Sequence, residues 1–243
     1  MQSAIRVIGP ALLLVSVSMA KASIMFEYGV SHEYKGGAPN EPSADYLQAT
    51  IQDHSGLAGL ATNEVQLTIT ANGITSSEAV GLAAFNIIPS VLAAGGGLSS
   101  LTASNDGSST APAPTFTKTS GGVGVDQGGA YTFKLGYNAP GGGTLFLGGG
   151  TETSIIDVFL GPASFHLHAT DFLSYSTLVP SQGSNATTGL SEVSFFESAT
   201  DSSSSLYVLG VVPEPGSIIA WSLLCGGAAG ILPFRKRRKG GCE

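Results

Sequence analysis

Two closely spaced histidines are the residues of this 243-residue chain whose type and spacing could do chemistry. His166 and His168 are separated by one leucine, and Asp171 follows three residues later. Residues two apart in a strand project from the same face, so both imidazoles could bind one metal ion. A zinc site needs a further protein ligand, which His32 or His54 could supply. Neutral imidazoles on the polar face of a strand explain the same pattern, and this structural interpretation is favoured.

Two aspartates lie in loops that could offer oxygen ligands to calcium. Asp106 is followed by Gly107 and Ser108, and Asp126 by a Gln-Gly-Gly sequence. Neither follows the pattern of regularly spaced acids that is typical of a calcium loop. Because Asp is also a common turn former, a role in the turn is favoured for both residues.

The sequence contains no pattern that is typical of nucleophilic catalysis. No serine lies in a Gly-x-Ser-x-Gly elbow, and the cysteines, Cys225 and Cys242, are both near the C-terminus. The run Gly95–Gly97 is not followed by the Lys-Ser/Thr of a phosphate loop. We therefore predict a non-enzymatic protein that needs no cofactor and has no catalytic residues. A polysaccharide hydrolase is an alternative, because the two carboxylates of a glycosidase are brought together only by folding.

The elements that would position these residues are β-strands. Apolar and polar residues alternate through Glu64–Thr70 and Ala130–Tyr137, which is typical of half-buried antiparallel strands. Further strand candidates are Tyr46–Gln52, Ala83–Ile88, Ser154–Leu160, Phe172–Leu178, Glu192–Glu197 and Leu206–Val211. These patterns predict a mainly β domain built as an antiparallel β-sandwich. A β-helix is the rival architecture, but the chain has no fixed-period repeat.

Three other segments carry local structural signals. Ser76–Ala84 is predicted to form a short helical turn, with a serine at its N-cap and Glu78 in its first turn. Ala94–Pro114 and Gly141–Gly150 are rich in small residues and are predicted to be long irregular connections.

The charge of the central region is strongly acidic. Residues 23–212 contain three lysines against fifteen Asp and Glu, a formal charge of −12. An acidic domain repels phosphate backbones, so nucleic acid is not an expected partner. The same stretch has no cysteine, so its core and not a disulfide framework must stabilise it.

Residues 1–22 are predicted to be a secretory signal peptide. Arg6 precedes an apolar run, and Ala20 and Ala22 fit a small-x-small cleavage pattern. The mature chain would then begin near Ser23. An uncleaved signal anchor is the alternative.

The C-terminal region, residues 212–239, combines three signals in a fixed order. A Pro-Glu-Pro motif, formed by Pro213, Glu214 and Pro215, precedes an uncharged apolar stretch, Ile218–Phe234. As a helix, its 17 residues would reach about 26 Å, close to the roughly 30 Å of a bilayer core. The basic residues that follow are Arg235, Lys236, Arg237, Arg238 and Lys239. They predict a transmembrane helix whose C-terminal end stays in the cytoplasm.

This tail closely resembles the PEP-CTERM sorting signal of Gram-negative bacteria, and Pro213, Glu214 and Pro215 carry the resemblance. The resemblance implies recognition and processing by an exosortase. Asn63–Thr70, with the residues that follow it, is similar to exported domains often found ahead of this tail. An ordinary membrane anchor is the alternative interpretation of the tail.

The two ends of the chain together predict export. We expect an exported domain over residues 23–211, held in the inner membrane by its C-terminal helix before processing and then located at the cell surface or outside the cell. The function expected is that of a cell-surface or extracellular-matrix protein, with exopolysaccharide as a possible partner. A carbohydrate- or calcium-dependent binding module is the first alternative.

Overall fold

The computed structural model describes residues 23–29, 33–35, 45–125, 129–150, 152–177 and 188–212. In these ranges the chain is mainly β, with few helical residues. The strands are β1 (Ser23–Gly29), β2 (Glu33–Lys35), β3 (Asp45–Asp53), β4 (Glu64–Thr70), β5 (Ala79–Phe85), β6 (Leu101–Asn105), β7 (Thr115–Val125), β8 (Gly129–Gly136), β9 (Phe146–Leu147), β10 (Thr153–Leu160), β11 (Ser191–Ser198) and β12 (Asp201–Gly210). The helical elements are α1 (Pro89–Ala94) and two 3₁₀ turns, Leu98–Ser100 and Ala169–Phe172.

The strands form two antiparallel sheets. The first sheet has five strands in the order β1-β3-β4-β10-β6. The second has the order β2-β12-β11-β5-β8-β7, with β9 paired to β5. This arrangement is that of two packed sheets and not of a β-helix, in which strands would stack in a repeating coil.

The two sheets face each other across one hydrophobic core. Phe26 of β1 packs against Phe85 of β5 with a ring-centroid distance of 5.9 Å. Tyr46 of β3 meets Phe195 of β11 edge to face at 6.1 Å. Because each pair joins one sheet to the other, aromatic side chains hold the two layers together.

The predicted alternation is confirmed in the strands where it was strongest. In β4, Val65, Leu67 and Ile69 are at most 1% exposed, whereas the polar residues between them are half-buried. In β8, Phe133 and Leu135 are likewise fully buried. Apolar residues at every second position therefore point into the shared core, and the polar ones point away from it.

The helical turn predicted for Ser76–Ala84 is wrong. Ala79–Phe85 is strand β5, which lies between β11 and β8 inside the second sheet. Glu78 Oε2 accepts hydrogen bonds from the backbone N–H of Thr75 at 2.8 Å and from its hydroxyl at 3.0 Å. The Thr-x-x-Glu pattern thus closes a turn that leads into a buried strand, because burial of the following apolar residues outweighs the local capping signal.

Two further segment predictions are corrected. Phe172–Leu178 is predicted to be a strand, but a 3₁₀ turn ends at Phe172, and of the described residues 172–177 only Thr177 forms a β-bridge, to Ala130. Ala94–Pro114 was expected to be irregular, but it contains β6, which pairs with β10. Most residues of β6 are not buried, since it is an edge strand, and it therefore lacks the apolar alternation that marks a strand in sequence.

The first and last described segments lie side by side. The N–H of Glu27 donates to the carbonyl of Val211 at 2.8 Å, and the N–H of Val211 donates to the carbonyl of Glu27 at 3.0 Å. The pairing is antiparallel, so the chain direction at Val211 is opposite to that of β1.

The predicted signal peptide, Pro-Glu-Pro motif, apolar stretch and basic cluster lie outside the described residues. Among the residues that are described, no helix has the length and apolar character that crossing a bilayer requires.

Candidate functional site

Three histidines from two distant parts of the chain meet at one end of the five-stranded sheet. His54 directly follows β3, and His166 and His168 lie between β10 and the second 3₁₀ turn. The ring centroid of His54 is 5.8 Å from that of His166 and 5.9 Å from that of His168, and the remaining separation is 6.3 Å. We call this group, His54, His166 and His168, the histidine triangle.

The sheet register explains why these segments meet. Strand β4 pairs antiparallel with both β3 and β10. Asp53, the last residue of β3, lies opposite Val65, and Phe159 near the end of β10 lies opposite Glu64. The end of β3, the start of β4 and the end of β10 therefore share one edge, and the residues that follow β3 and β10 emerge together.

The segment after β10 is held in place by the turn before β4. Asn63 Nδ2 donates to the carbonyl of Gly161 at 2.9 Å, and the N–H of Leu167 donates to the carbonyl of Thr62, also at 2.9 Å. Leu167 is fully buried, whereas its two histidine neighbours are exposed. The segment is not a strand, and the buried leucine fixes the backbone that carries both imidazoles.

Asp53 is the buried polar residue beneath the triangle. Its Oδ1 accepts hydrogen bonds from the N–H of Ser55 at 2.9 Å, from the Ser55 hydroxyl and from the N–H of Gly56 at 3.2 Å. Its Oδ2 accepts a bond from the N–H of Ala169 at 3.2 Å and lies 3.5 Å from Nδ1 of His168. One carboxylate thus joins the end of β3 to the segment that carries His168.

The ionisation of Asp53 follows from these contacts. Burial alone would raise the pKa of its carboxyl group, because water no longer solvates the charge. Hydrogen bonds from the side chain of Ser55 and from the backbone of Ala169, Ser55 and Gly56 outweigh burial and hold the pKa below its ordinary value of 3.8. Asp53 is therefore a fixed negative charge beside His168 at neutral pH.

Asp171, the acid noted beside the histidine pair in the sequence, has a different role. Its Oδ2 accepts a hydrogen bond from the backbone N–H of His168 at 2.8 Å. This contact caps the 3₁₀ turn Ala169–Phe172 and orients the backbone of His168. Asp171 thus positions the histidine through its main chain.

The structure brings together the two histidines singled out in the sequence, His166 and His168, and places His54 beside them. His54 is one of the two residues suggested as a third ligand, and the other, His32, lies outside the described residues. As the side chains stand, the described part of the chain contains no group of three or more His, Cys, Asp or Glu residues that could hold a metal ion. One ring nitrogen of His54, Nδ1, is buried and has no hydrogen-bond partner.

Sequence reasoning missed Asp53. The signal available was local: an acid followed two and three residues later by Ser55 and Gly56, which is typical of an Asx turn. That signal predicts the Oδ1 bonds, but the approach of Oδ2 to His168 depends on the register of β3, β4 and β10.

The calcium candidate Asp106 forms a turn. Its Oδ1 accepts hydrogen bonds from the N–H of Ser108 at 2.7 Å and from the Ser108 hydroxyl. These bonds, led by that of the hydroxyl, lower the pKa of Asp106. The carboxylate serves the turn, and the second candidate, Asp126, lies outside the described residues.

Comparison of the chain with protein-family models, with curated proteins and with solved structures finds no match.

Proposed function

We propose that the chain is an exported, non-enzymatic protein of the cell surface or extracellular matrix of a Gram-negative bacterium. A signal peptide directs its export, and its C-terminal tail holds it in the inner membrane. An exosortase-like enzyme then processes the tail near Pro213, Glu214 and Pro215. The proposal rests on the tail sequence, and the arrangement of the β domain supports it.

The structural observation that is compatible with this proposal is the pairing of Glu27 with Val211. Strand β1 begins at Ser23, where signal cleavage is predicted, and Val212 immediately precedes the Pro-Glu-Pro motif. Because Val211 pairs with Glu27 of β1, the two described segments that lead to the predicted membrane segments are neighbours in the fold. A domain with this geometry can remain folded on one side of the membrane while either end is tethered.

Four carboxylates near the sheet ends hold neighbouring turns and loops. Asp53, Glu78 and Glu64 each accept hydrogen bonds from backbone N–H groups in neighbouring turns. Glu152 Oε2 likewise accepts a bond from the N–H of Leu147 at 2.8 Å. A glycosidase needs two carboxylates that face one groove, and these four carboxylates are instead engaged in holding loops.

The charge and surface of the domain suit contact with the cell exterior. Its formal charge of −12 disfavours nucleic acid and other polyanions, and its many Ser, Thr and Gly residues offer polar groups without charge. We therefore propose exopolysaccharide as a partner of the domain.

The proposal is tested by intact mass and fractionation of the protein from cells with and without the exosortase-like enzyme. We expect the tail, about thirty residues counted from the Pro-Glu-Pro motif, to be lost only where the enzyme is present. Full-length protein in the inner membrane of both strains would reduce the tail to a simple anchor. Turnover of a polysaccharide by the purified protein would contradict the non-enzymatic assignment, and chelator-reversible stabilisation by calcium would favour a calcium-dependent binding module.

A further inference from the structure

We propose that the histidine triangle is a binding site for a divalent transition-metal ion of the kind that prefers imidazole, with zinc as the representative. The inference is independent of the proposed function, since it concerns only residues of the β domain. Three of the four histidines of the chain take part, although His54 is far from His166 and His168 in sequence. Their meeting is therefore produced by the fold.

The ligand chemistry selects the class of ion. Neutral imidazole nitrogens suit zinc, copper and nickel, whereas calcium and magnesium require oxygen ligands. Within the triangle, Nδ1 of His54 is buried and has no hydrogen-bond partner. A buried polar atom without a partner is costly, and a neutral imidazole nitrogen can gain a partner by donating its lone pair to a metal ion.

As the side chains stand, the three histidines do not form a group that could hold a metal ion, and their ring separations are wider than coordination requires. With zinc–nitrogen distances of about 2.1 Å and tetrahedral angles, three imidazole centroids would lie about 5 Å apart. The observed separations are 5.8, 5.9 and 6.3 Å, so each ring would have to move inward by about 1 Å or less. His166 and His168 are exposed, and rotation about their side-chain torsions can provide this movement without displacing the backbone. The geometry thus points to a site that closes when the ion binds.

Asp53 is placed to orient one of the ligands. Metal-binding histidines usually donate the N–H of their other ring nitrogen to a carboxylate or carbonyl, which fixes the tautomer. Asp53 Oδ2 lies 3.5 Å from Nδ1 of His168, and its carboxylate is anchored by hydrogen bonds at both oxygens. When His168 turns inward, Asp53 can accept its Nδ1–H and leave the Nε2 lone pair for the ion. Asp53 is a positioning residue in this site.

The test is calorimetric titration of the full-length chain, purified in mild detergent, with zinc and with calcium. Cobalt absorption serves as a second readout, because its visible bands report tetrahedral nitrogen ligands. We expect one zinc ion per chain and no calcium binding at this site. Each of His54→Gln, His166→Gln and His168→Gln should weaken zinc binding at least tenfold, and Asp53→Asn should weaken it about tenfold.

His32→Gln is the matched control, because His32 is the remaining histidine of the chain. It should leave zinc affinity unchanged, and circular dichroism should show that the variants retain their β structure. If His54→Gln fails to fold, the exposed His166→Gln and His168→Gln variants still decide the question. Absence of stoichiometric zinc binding overturns the proposal. So does binding that survives His166→Gln and His168→Gln, or that is lost equally in His32→Gln.

Discussion

The hydroxyl of Tyr28 donates a 2.9 Å hydrogen bond to Oγ of Ser191, and this bond crosses from β1 in one sheet to β11 in the other. Both side chains are fully buried. Burial raises the pKa of Tyr28, and the bond to Ser191 offsets only part of that rise. The phenol is therefore protonated at neutral pH, and the bond links the two layers.

Removing this link should destabilise the fold. Tyr28→Phe keeps the buried ring but leaves Ser191 Oγ without its donor, so we expect the free energy of unfolding to fall by about 1–3 kcal/mol. Urea unfolding of the full-length chain in mild detergent measures the change. Tyr175→Phe is the control, because Tyr175 is 66% exposed, and it should alter stability by no more than about 0.5 kcal/mol. Equal effects of the two substitutions would show that the intersheet bond contributes nothing.

Gly210 lies against the Tyr28–Ser191 hydrogen bond, where there is no room for a side chain. A Cβ added at Gly210 would collide with Ser191 Oγ and would lie 2.7 Å from the Tyr28 ring. Gly210→Ala should therefore destabilise the protein by about 1–3 kcal/mol through overpacking. At Gly136, in contrast, an added Cβ would approach only Thr115, at 3.8 Å from its carbonyl oxygen. Gly136→Ala should raise stability by about 0.4–1 kcal/mol, because it restricts the unfolded chain.

Thermal unfolding of both variants distinguishes the expected loss of stability in Gly210→Ala from the expected gain in Gly136→Ala. A stabilising Gly210→Ala substitution would contradict the packing described.

Asp53 should make the protein sensitive to acid. Its pKa in the folded state lies below the ordinary value of 3.8, so its ionised form stabilises the fold above that pH. This contribution is lost as the pH falls through the folded-state pKa. We expect wild-type stability to decline below about pH 4, and Asp53→Asn to be less stable at neutral pH with a shallower decline. Urea midpoints between pH 3 and pH 7 measure both effects.

Asp157 provides a control for Asp53, because its pKa is shifted in the opposite direction. Burial, opposed by a hydrogen bond from Gln66 and aided by the charge of Asp106, raises the pKa of Asp157. Its ionised form is therefore unfavourable in the folded state, and Asp157→Asn should not reproduce the loss expected at Asp53. If both substitutions changed the acid dependence in the same direction, the role assigned to the Asp53 hydrogen bonds would be wrong.

Strands with strong alternation could be predicted from sequence, and those with other patterns could not. The strand β4 was evident because Val65, Leu67 and Ile69 all face the core. Strand β5 was misjudged because Ala83 and Ala84, neighbours that face opposite ways, are both buried, which leaves Ala79–Phe85 without alternation. Strand β6 was missed for the reverse reason: as an edge strand it buries little apart from Leu101. Period-two patterns reveal only strands with one buried face.

The candidate site was predictable in part. The spacing of His166 and His168 is a local property, and it was visible at once. The choice between His32 and His54 as a neighbour, and the role of Asp53, depend on which strand ends meet. That information lies in the register between β3, β4 and β10, which is set by long-range pairing and not by any short segment.

The last prediction concerns the orientation of the tail. Replacing the five basic residues 235–239 with glutamate should impair membrane insertion, because positive charge flanking an apolar helix keeps that side in the cytoplasm. As a helix, the apolar stretch of 17 residues would be only just long enough to span a bilayer core. Its hydrophobicity alone should therefore not compensate for the loss of the basic residues. We expect protease accessibility of spheroplasts to show altered orientation, and fractionation to show loss of the processed form. Pro162→Ala, at an exposed proline of the β domain, is the control and should be exported normally. Unchanged orientation and processing after charge reversal would refute the role assigned to the basic cluster, because the apolar stretch alone would then suffice to direct the protein.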